Sequence, residues 1–142
     1  ARRCGRRFGS PRHAADPARI FAVECDGDGI IGVVVAVLPQ EPGQPGAISS
    51  LYVDQSQYRK GVGRRLMGHV AALMLDRGIT ALSLGVLSQN RRARSFYDAQ
   101  GGVVTGETTY DWHGHFLPQL NYLFSDLPHL VALGQGGSFA QR

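Results

Sequence analysis

Apolar residues occur along the chain in short runs, and the residues between the runs are turn formers. Runs at residues 20–23, 30–38 and 47–54 predict three strands, because short apolar segments bounded by turn residues are typical of a sheet. Asp-Gly-Asp-Gly at 26–29 joins the first two runs and predicts a hairpin. The segment 39–46 holds three Pro and two Gly, so it predicts a loop before the third strand.

The next segment has a helical pattern. Its apolar residues recur at steps of four, four, three and one, which is the spacing of one face of an amphipathic helix. They are Val62, Leu66, Val70, Leu73 and Met74. Gly78 stands at the expected stop position just beyond this face.

The second half of the chain alternates strand and helix signals. The mainly apolar run 79–87 predicts a central strand, and runs at 103–110 and 120–125 predict two more. Asn90 is suited to cap a second helix in which Ala93, Phe96 and Tyr97 share one face. This order requires crossover helices as well as hairpins, so we expect an α/β fold with a mixed, mostly antiparallel sheet.

The length of 142 residues, 43% of them apolar, is that of a single domain. We expect this domain over residues 20–127, with a flexible basic arm over 1–19 and a glycine-rich tail over 128–142. Six Arg and one Asp give the arm a charge of +5, so the other 123 residues carry −1 of the total of +4. The basicity therefore belongs to the arm, which argues against a nucleic-acid-binding domain.

Two further classes are excluded by composition. No apolar run approaches the roughly 20 residues that a membrane span needs, so we expect no membrane partner. Cys4 and Cys25 are too few for a zinc cluster or a disulfide framework. They favour a reducing compartment, and since no apolar signal segment follows the Arg-rich start, we expect a cytoplasmic protein.

The sharpest local feature is the loop before the first helix, Gln-Tyr-Arg-Lys-Gly-Val-Gly-Arg-Arg-Leu at residues 57–66. Glycine permits a positive φ and removes Cβ atoms that would keep an anion from the free N–H groups of the first helical turn. A plain turn is the competing interpretation. However, the expected cap position holds no Ser, Thr, Asp or Asn, and Lys60, Arg64 and Arg65 crowd the positive end of the helix. A phosphorylated ligand would relieve both defects.

Three motifs, in order and on the expected elements, resemble the GNAT superfamily of acetyl-CoA-dependent N-acetyltransferases. They are Leu-Tyr-Val-Asp at 51–54, Gly-x-Gly-Arg-Arg-Leu at 61–66, and Asn-x-x-Ala-x-x-Phe-Tyr at 90–97 before two glycines. The resemblance extends over residues 20–126. The common triphosphate and dinucleotide motifs do not fit, because GxxxxGK[ST] is absent and Leu66 stands where a third glycine is needed.

The resemblance implies acetyl-CoA as a co-substrate, no metal, and direct attack of a primary amine on the thioester. The backbone of Leu51, Tyr52 and Val53 would pair with the pantetheine arm where the third and fourth strands splay apart. Asn90 would hydrogen-bond to the pantetheine. The pyrophosphate would be cradled by Arg59, Lys60, Gly61, Val62, Gly63 and Arg64.

The resemblance also places Tyr97 beside the CoA sulfur. The departing thiolate has a conjugate acid of pKa about 8.5, so a nearby hydroxyl that donates to it assists its departure. The competing interpretation is that Phe96 and Tyr97 are both core residues of an amphipathic helix.

Two departures from the family pattern keep alternatives open. Tyr58 stands where the family usually has Gln or Arg, and only about 19 Arg- and Gly-rich residues precede the hairpin, where the family has a strand and one or two helices that wall the acceptor pocket. A CoA-binding module without catalysis is therefore the alternative to an enzyme, and an anionic-surface or nucleic-acid binder acting through the arm is a third hypothesis. We expect a small-molecule or peptide amine as acceptor, and a homodimer stays open.

Candidates for other chemistry are weaker. His113, His115 and Asp111 could chelate a metal, but Gly114 and Pro118 favour a plain loop there. An alkylammonium acceptor must lose a proton before it attacks, and the sequence does not identify the base. The unranked candidates are Glu24, Glu107, Asp111 and His113.

Overall fold

The computed structural model describes the backbone of residues 7–9, 18–27 and 29–139, and the side chains of 18–27 and 29–135. Its strands are β1 (Arg7–Gly9), β2 (Arg19–Asp26), β3 (Gly29–Val37), β4 (Gly46–Val53), β5 (Leu82–Leu87), β6 (Val103–Trp112) and β7 (His115–Phe124). Its helices are α1 (Val62–Asp76), α2 (Arg91–Ala99) and α3 (Leu127–Phe139), with a short 3-10 turn at Gln55–Gln57.

The seven strands form one mixed sheet in the order β1-β2-β3-β4-β5-β7-β6. All neighbouring strands are antiparallel except β4 and β5, which are parallel because α1 crosses over between them. The expected mixed α/β sheet with crossover helices is therefore confirmed, as are the hairpin of β2 and β3 and both predicted helices.

The core lies between the sheet and α1. The predicted apolar stripe is buried there: Val62, Leu66, Val70 and Met74 are at most 2% exposed. They pack with inward-facing residues of the sheet such as Val34. The helix ends one residue before Arg77, so the predicted stop at Gly78 is confirmed.

The parallel strands β4 and β5 separate soon after they meet. Their ladder is recorded only at Gly46 with Leu82 and Ala47 with Ser83, within the part of the sheet that the structure describes. A register shift between Val35 and Ala36 places an irregularity in β4 just beyond these pairs. The expected splay between the two strands is therefore present, and the following β4 backbone has an edge without a β5 partner.

The expected C-terminal tail is wrong over residues 128–139, because α3 spans Leu127–Phe139. Leu127 and Leu130 are buried, and α3 packs against α1. A Cβ on Gly134 would lie 3.0 Å from the carbonyl oxygen of Arg64, so this glycine permits close helix packing rather than fraying. Asp126 Oδ1 accepts the N–H of His129 at 3.1 Å, a capping signal that was readable in the sequence.

The expected flexible arm is wrong at residues 7–9, since β1 pairs antiparallel with β2, and at Arg19, which is the first residue of β2. The rest of the arm before residue 18 lies outside the described residues, so its flexibility stays a prediction.

Cys25 in β2 is disulfide-bonded. That bond removes the cysteine argument for a reducing compartment, and the cytoplasmic location stays a prediction. None of the described helices combines the length and apolar character that a bilayer span requires.

Candidate active site

A cavity of about 770 Å³ lies between the loop before α1, the inner face of α2 and the free edge of β4. One residue of α3, Leu133, also contributes to its wall. Eight of the ten residues expected to bind the co-substrate line this cavity, namely Leu51, Val53, Arg59, Gly61, Val62, Gly63, Arg64 and Asn90. Tyr52 and Lys60 are not among the lining residues.

The N-terminus of α1 opens into the cavity without a side-chain cap. Gly61 is the N-cap residue with φ of 81°, in the left-handed region that glycine adopts without strain. The first main-chain hydrogen bond of the helix runs from the N–H of Arg65 to the carbonyl of Gly61 at 3.0 Å, so the N–H groups before it have no helical acceptor. Free N–H groups and the helix dipole favour an anion at a helix start, so this geometry suits the expected anion site, which stays a prediction.

Gly63 lines the cavity and also allows close packing of the two helices beside it. A Cβ at this position would lie 2.8 Å from Cζ of Phe96, so the missing side chain admits the Phe96 ring against α1. Gly63 therefore sets the distance between the two helices that border the cavity. Its substitution by a bulky residue would disturb helix packing as well as ligand access.

The free edge of β4 presents two of its side chains to the cavity. Leu51 and Val53 are half-buried and line it, whereas Tyr52 alternates to the other face and is 55% exposed. A role for Tyr52 in ligand binding is thus restricted to its backbone, as the sequence analysis expects.

Asn90 caps α2, as predicted. Its Oδ1 accepts the N–H of Ala93 at 3.2 Å, which uses the acceptor of the carboxamide. The Nδ2 group, a donor, is the part of the side chain that can bind a carbonyl of a ligand.

Tyr97 lies on the inner face of α2, is 8% exposed and lines the cavity. Its ring packs against Phe96, Tyr122 and Phe124 at centroid distances of 5.3, 5.8 and 6.1 Å. Burial raises the pKa of the Tyr97 hydroxyl above its ordinary value, so the phenol stays protonated and able to donate at neutral pH. The two interpretations of Tyr97 are therefore compatible, because it is a core residue that also borders the cavity.

The sequence pattern does not indicate Gln100 or Leu133, which also line the cavity. Arg92 lies in a cationic run at the start of α2, for which we expect a solvated face, with a CoA phosphate contact as the alternative. Gln100 is 2% exposed, and neither its Oε1 nor its Nε2 has a hydrogen-bond partner among the described residues. The Arg92 guanidinium lies 4.2 Å from the ring centroid of Tyr58, across the space between α2 and the loop.

The other candidate residues lie elsewhere. Glu24 is taken by a buried ion pair with Arg65 on the helix-covered face of the sheet. His113 and Gly114 form the tight turn of the β6–β7 hairpin, with φ of 52° and 85°. Asp111 Oδ1 accepts the N–H of Gly114 at 2.9 Å within that turn. Among the described residues, no three His, Cys, Asp or Glu side chains are grouped to hold a metal ion.

Comparison with known proteins also indicates an acetyltransferase. The family model described as Acetyltransferase (GNAT) family matches residues 3–101. Thialysine N-epsilon-acetyltransferase of Bos taurus is 33% identical over 66 residues, which is 46% of this chain and 38% of that protein. Mycothiol acetyltransferase of Beutenbergia cavernae is 31% identical over 86 residues, 61% of this chain and 29% of that protein. The chain spans less than half the length of either relative.

Solved structures share the fold. An acetyltransferase of Bacillus anthracis, crystallised in complex with acetyl coenzyme A, superimposes with a TM-score of 0.68 at 20% identity. The superposition covers 78% of this chain and 64% of that chain. At this identity the similarity establishes the fold.

Proposed function

The chain belongs to the GNAT acetyltransferase family, and we propose that it transfers the acetyl group of acetyl-CoA to a primary amine of a small molecule or peptide. The observation that carries this proposal is the free edge of β4, which borders the same cavity as the uncapped start of α1. Acetyl-CoA matches both features. Its extended amide-bearing arm can bond to a strand edge, and its pyrophosphate can bond to free N–H groups.

In this proposal the cavity wall binds the co-substrate in two parts. The backbone of Leu51, Tyr52 and Val53 pairs with the pantetheine arm, and Nδ2 of Asn90 donates to one of its carbonyls. The N–H groups of the loop and of the first turn of α1 bind the pyrophosphate. The residues that supply this second part are Arg59, Lys60, Gly61, Val62, Gly63 and Arg64.

Tyr97 is the proposed catalytic residue. The thiolate that leaves has a conjugate acid of pKa about 8.5, below that of the buried phenol, so full proton transfer from Tyr97 is uphill. The hydroxyl therefore acts as a hydrogen-bond donor that stabilises the developing negative charge on sulfur. The ring contacts described above fix the position of the phenol oxygen beside the cavity.

The attacking amine must arrive neutral. Glu24 is a poor candidate for the base, because its pKa is lowered to about 2 and its carboxylate is engaged by Arg65 and His69. Asp111 and His113 remain accessible in the β6–β7 hairpin, and Glu107 is exposed on β6. Water that enters the open cavity can also relay the proton to bulk solvent, so no base is assigned.

A CoA-binding module without catalysis is the second candidate. Exposure on β4 favours it: Ser49, Ser50 and Tyr52 are all exposed beside the free strand edge. An acceptor amine bound there would meet few enclosing side chains among the described residues.

A screen for CoA release separates the two candidates. Purified protein is incubated with acetyl-CoA and a panel of amino acids, polyamines and peptides with free amino termini, and acetylated products are identified by mass spectrometry. An amine that yields equal amounts of CoA and acetylated product supports the enzyme. Acetyl-CoA at 100 times its dissociation constant should also stabilise the fold by about 2.7 kcal/mol. Stabilisation without CoA release supports the CoA-binding module. A protein that shows neither stabilisation nor CoA release would contradict acetyl-CoA as its ligand.

With an acceptor in hand, Tyr97→Phe tests the catalytic role. The ring contacts are kept, so stability and acetyl-CoA affinity should change little, while kcat should fall by about a hundredfold or more. Tyr110→Phe, an exposed hydroxyl on β6, is the matched control. A fall of less than about threefold in saturated turnover would return Tyr97 to the core alone.

A further inference from the structure

A buried ionic cluster lies behind the glycine loop, between β2 and α1. Glu24 is 5% exposed and sits between two side chains that are one turn apart on α1. Its Oε1 accepts the Nε–H of Arg65 at 2.9 Å, and its Oε2 lies 3.1 Å from Nε2 of His69. The side chain of Arg65 is 10% exposed, so the pair is largely shielded from water.

Arg65 also contacts the loop. Its Nη1 group donates to the carbonyl oxygen of Lys60 at 3.3 Å, and its main-chain N–H donates to the carbonyl of Gly61 at 3.0 Å. One residue thus holds both carbonyls that lead into α1. The N–H of Lys60 is bonded in turn to the carbonyl of Gln57 at 3.3 Å, so the turn is held from two sides.

The geometry of the peptide bond links these contacts to the cavity. The carbonyl of Lys60 and the N–H of Gly61 belong to one planar trans peptide, in which they point in opposite directions. A donor that fixes the carbonyl therefore also fixes the direction of the N–H. Gly61 lines the cavity and has no Cβ to restrict its backbone, so the direction of this N–H depends on an outside contact.

The positive charge of Arg65 does not by itself account for an effect on an anion in the cavity. Glu24 lies at hydrogen-bond distance and is ionised at neutral pH, because its hydrogen bonds to His69 and Arg65 outweigh the effect of burial on its pKa. The neutralised pair adds little net attraction for an anion. Its effect on a ligand must then act through the position of the loop.

We infer that Arg65, held in place by Glu24, is a positioning residue that orients the peptide between Lys60 and Gly61 toward the anion in the cavity. The inference rests on the proposed function, in which that anion is the pyrophosphate of acetyl-CoA. It assigns no contact between Arg65 and the ligand. Removal of the contacts from Glu24 to Arg65 and from Arg65 to Lys60 should weaken the binding of ligands that carry a pyrophosphate. The binding of ligands without a pyrophosphate should not change.

The main test uses the double variant Glu24→Gln with Arg65→Met. Removing both charges leaves no unpaired buried ion, so the variant should fold. Its dissociation constants for acetyl-CoA and inorganic pyrophosphate should rise tenfold or more, whereas that for acetyl-pantetheine, which lacks phosphate, should change less than twofold. A double variant that binds pyrophosphate as tightly as the wild type overturns the inference.

Two single variants complete the test should the double variant fail to fold. Arg65→Lys keeps a cation beside Glu24 but loses the planar fork that reaches Lys60, so its pyrophosphate affinity should fall at least fivefold. The amide resonance of Gly61 should also shift in the ligand-free protein. His69→Gln removes the other partner of Glu24. It should change the pyrophosphate affinity by less than twofold and leave the amide resonance of Gly61 at its wild-type position. Equal effects of the two variants would overturn the inference, and a wild-type protein that binds neither acetyl-CoA nor pyrophosphate would instead overturn the proposed function.

Discussion

The two helices that border the cavity begin in opposite ways. At the start of α2, Asn90 supplies a side-chain oxygen that accepts the N–H of Ala93. At the start of α1, Gly61 has no side chain, and no side-chain cap is recorded within the described part of the chain. Neither first turn contains an acidic residue. The side-chain cap is therefore present at the start of α2 and missing at the start of α1, where we propose that the pyrophosphate binds.

The contrast shows how local rules separate structure from function. A capped terminus stabilises the fold by itself, whereas an uncapped terminus with nearby cations is unfavourable until an anion arrives. Departures from local stability rules are expected at functional sites. The start of α1 is such a departure. The buried ion pair of Glu24 and Arg65 contacts the loop there through the carbonyl of Lys60.

The largest expected effect concerns that ion pair. The pKa of Glu24 is about 2 in the folded protein against an ordinary value of 4.5. A lowered pKa gives stability that is complete above pH 4.5 and is lost as the pH falls toward 2, amounting to about 3 kcal/mol. Denaturant unfolding of the wild type from pH 6 to pH 2 should show this loss. The Glu24→Gln, Arg65→Met double variant should lose correspondingly less, and equal slopes would contradict the assignment to Glu24.

This ion pair could not be read from the sequence. Glu24 and Arg65 are 41 positions apart, and no local sequence pattern indicates that the two side chains are in contact. The local features were predictable: the stripe of α1, the cap at Asn90 and the splay of β4 from β5 follow from spacing, capping chemistry and the family resemblance. The expectation of a tail leaves out the local cap at Asp126, and it fails because Gly134 packs against α1, a tertiary contact that no local pattern indicates.

The same distinction applies to the cavity. Gly61, Asn90 and Tyr97 were identifiable because each stands at a position with its own local chemistry. Gln100 and Leu133 were not, because they meet only when α2 and α3 pack beside α1. Sequence patterns report on a residue and its near neighbours, whereas the far wall of a cavity is assembled from distant parts of the chain.

The second prediction compares two glycines of similar backbone conformation. Gly61 has φ of 81° and Gly78, at the other end of α1, has φ of 76°. Alanine at either position should cost about 1–2 kcal/mol of stability, because an L-residue is strained there. Only Gly61→Ala should also raise the dissociation constant of acetyl-CoA, by about tenfold, since the loop must present its N–H groups to phosphate. Equal affinity in both variants would reduce the loop to a turn.

The third prediction divides the two roles of Asn90. Asn90→Ala should cost about 1 kcal/mol by removing the cap, whereas Asn90→Asp keeps an accepting oxygen and should retain that stability. Both variants lose the Nδ2 donor, so both should bind acetyl-CoA about fivefold more weakly, as expected for one hydrogen bond. Thermal unfolding and calorimetric titration measure the two effects separately. An Asn90→Asp variant with unchanged affinity would leave Asn90 with capping alone.

The smallest expected effect compares one arginine at each helix start. Arg64 lines the cavity at the start of α1, whereas Arg91, the first residue of α2, is exposed and is not among the lining residues. Because a cation is unfavourable at a helix N-terminus, Arg64→Gln and Arg91→Gln should each stabilise the ligand-free protein by about 0.3–1 kcal/mol at low salt. Only Arg64→Gln should weaken acetyl-CoA binding, by about threefold, and its affinity should depend less on salt than that of the wild type. If Arg91→Gln weakened binding as much as Arg64→Gln, the anion would be attracted by the general basic charge of both helix starts, and the contrast between a structural and a functional terminus would no longer hold.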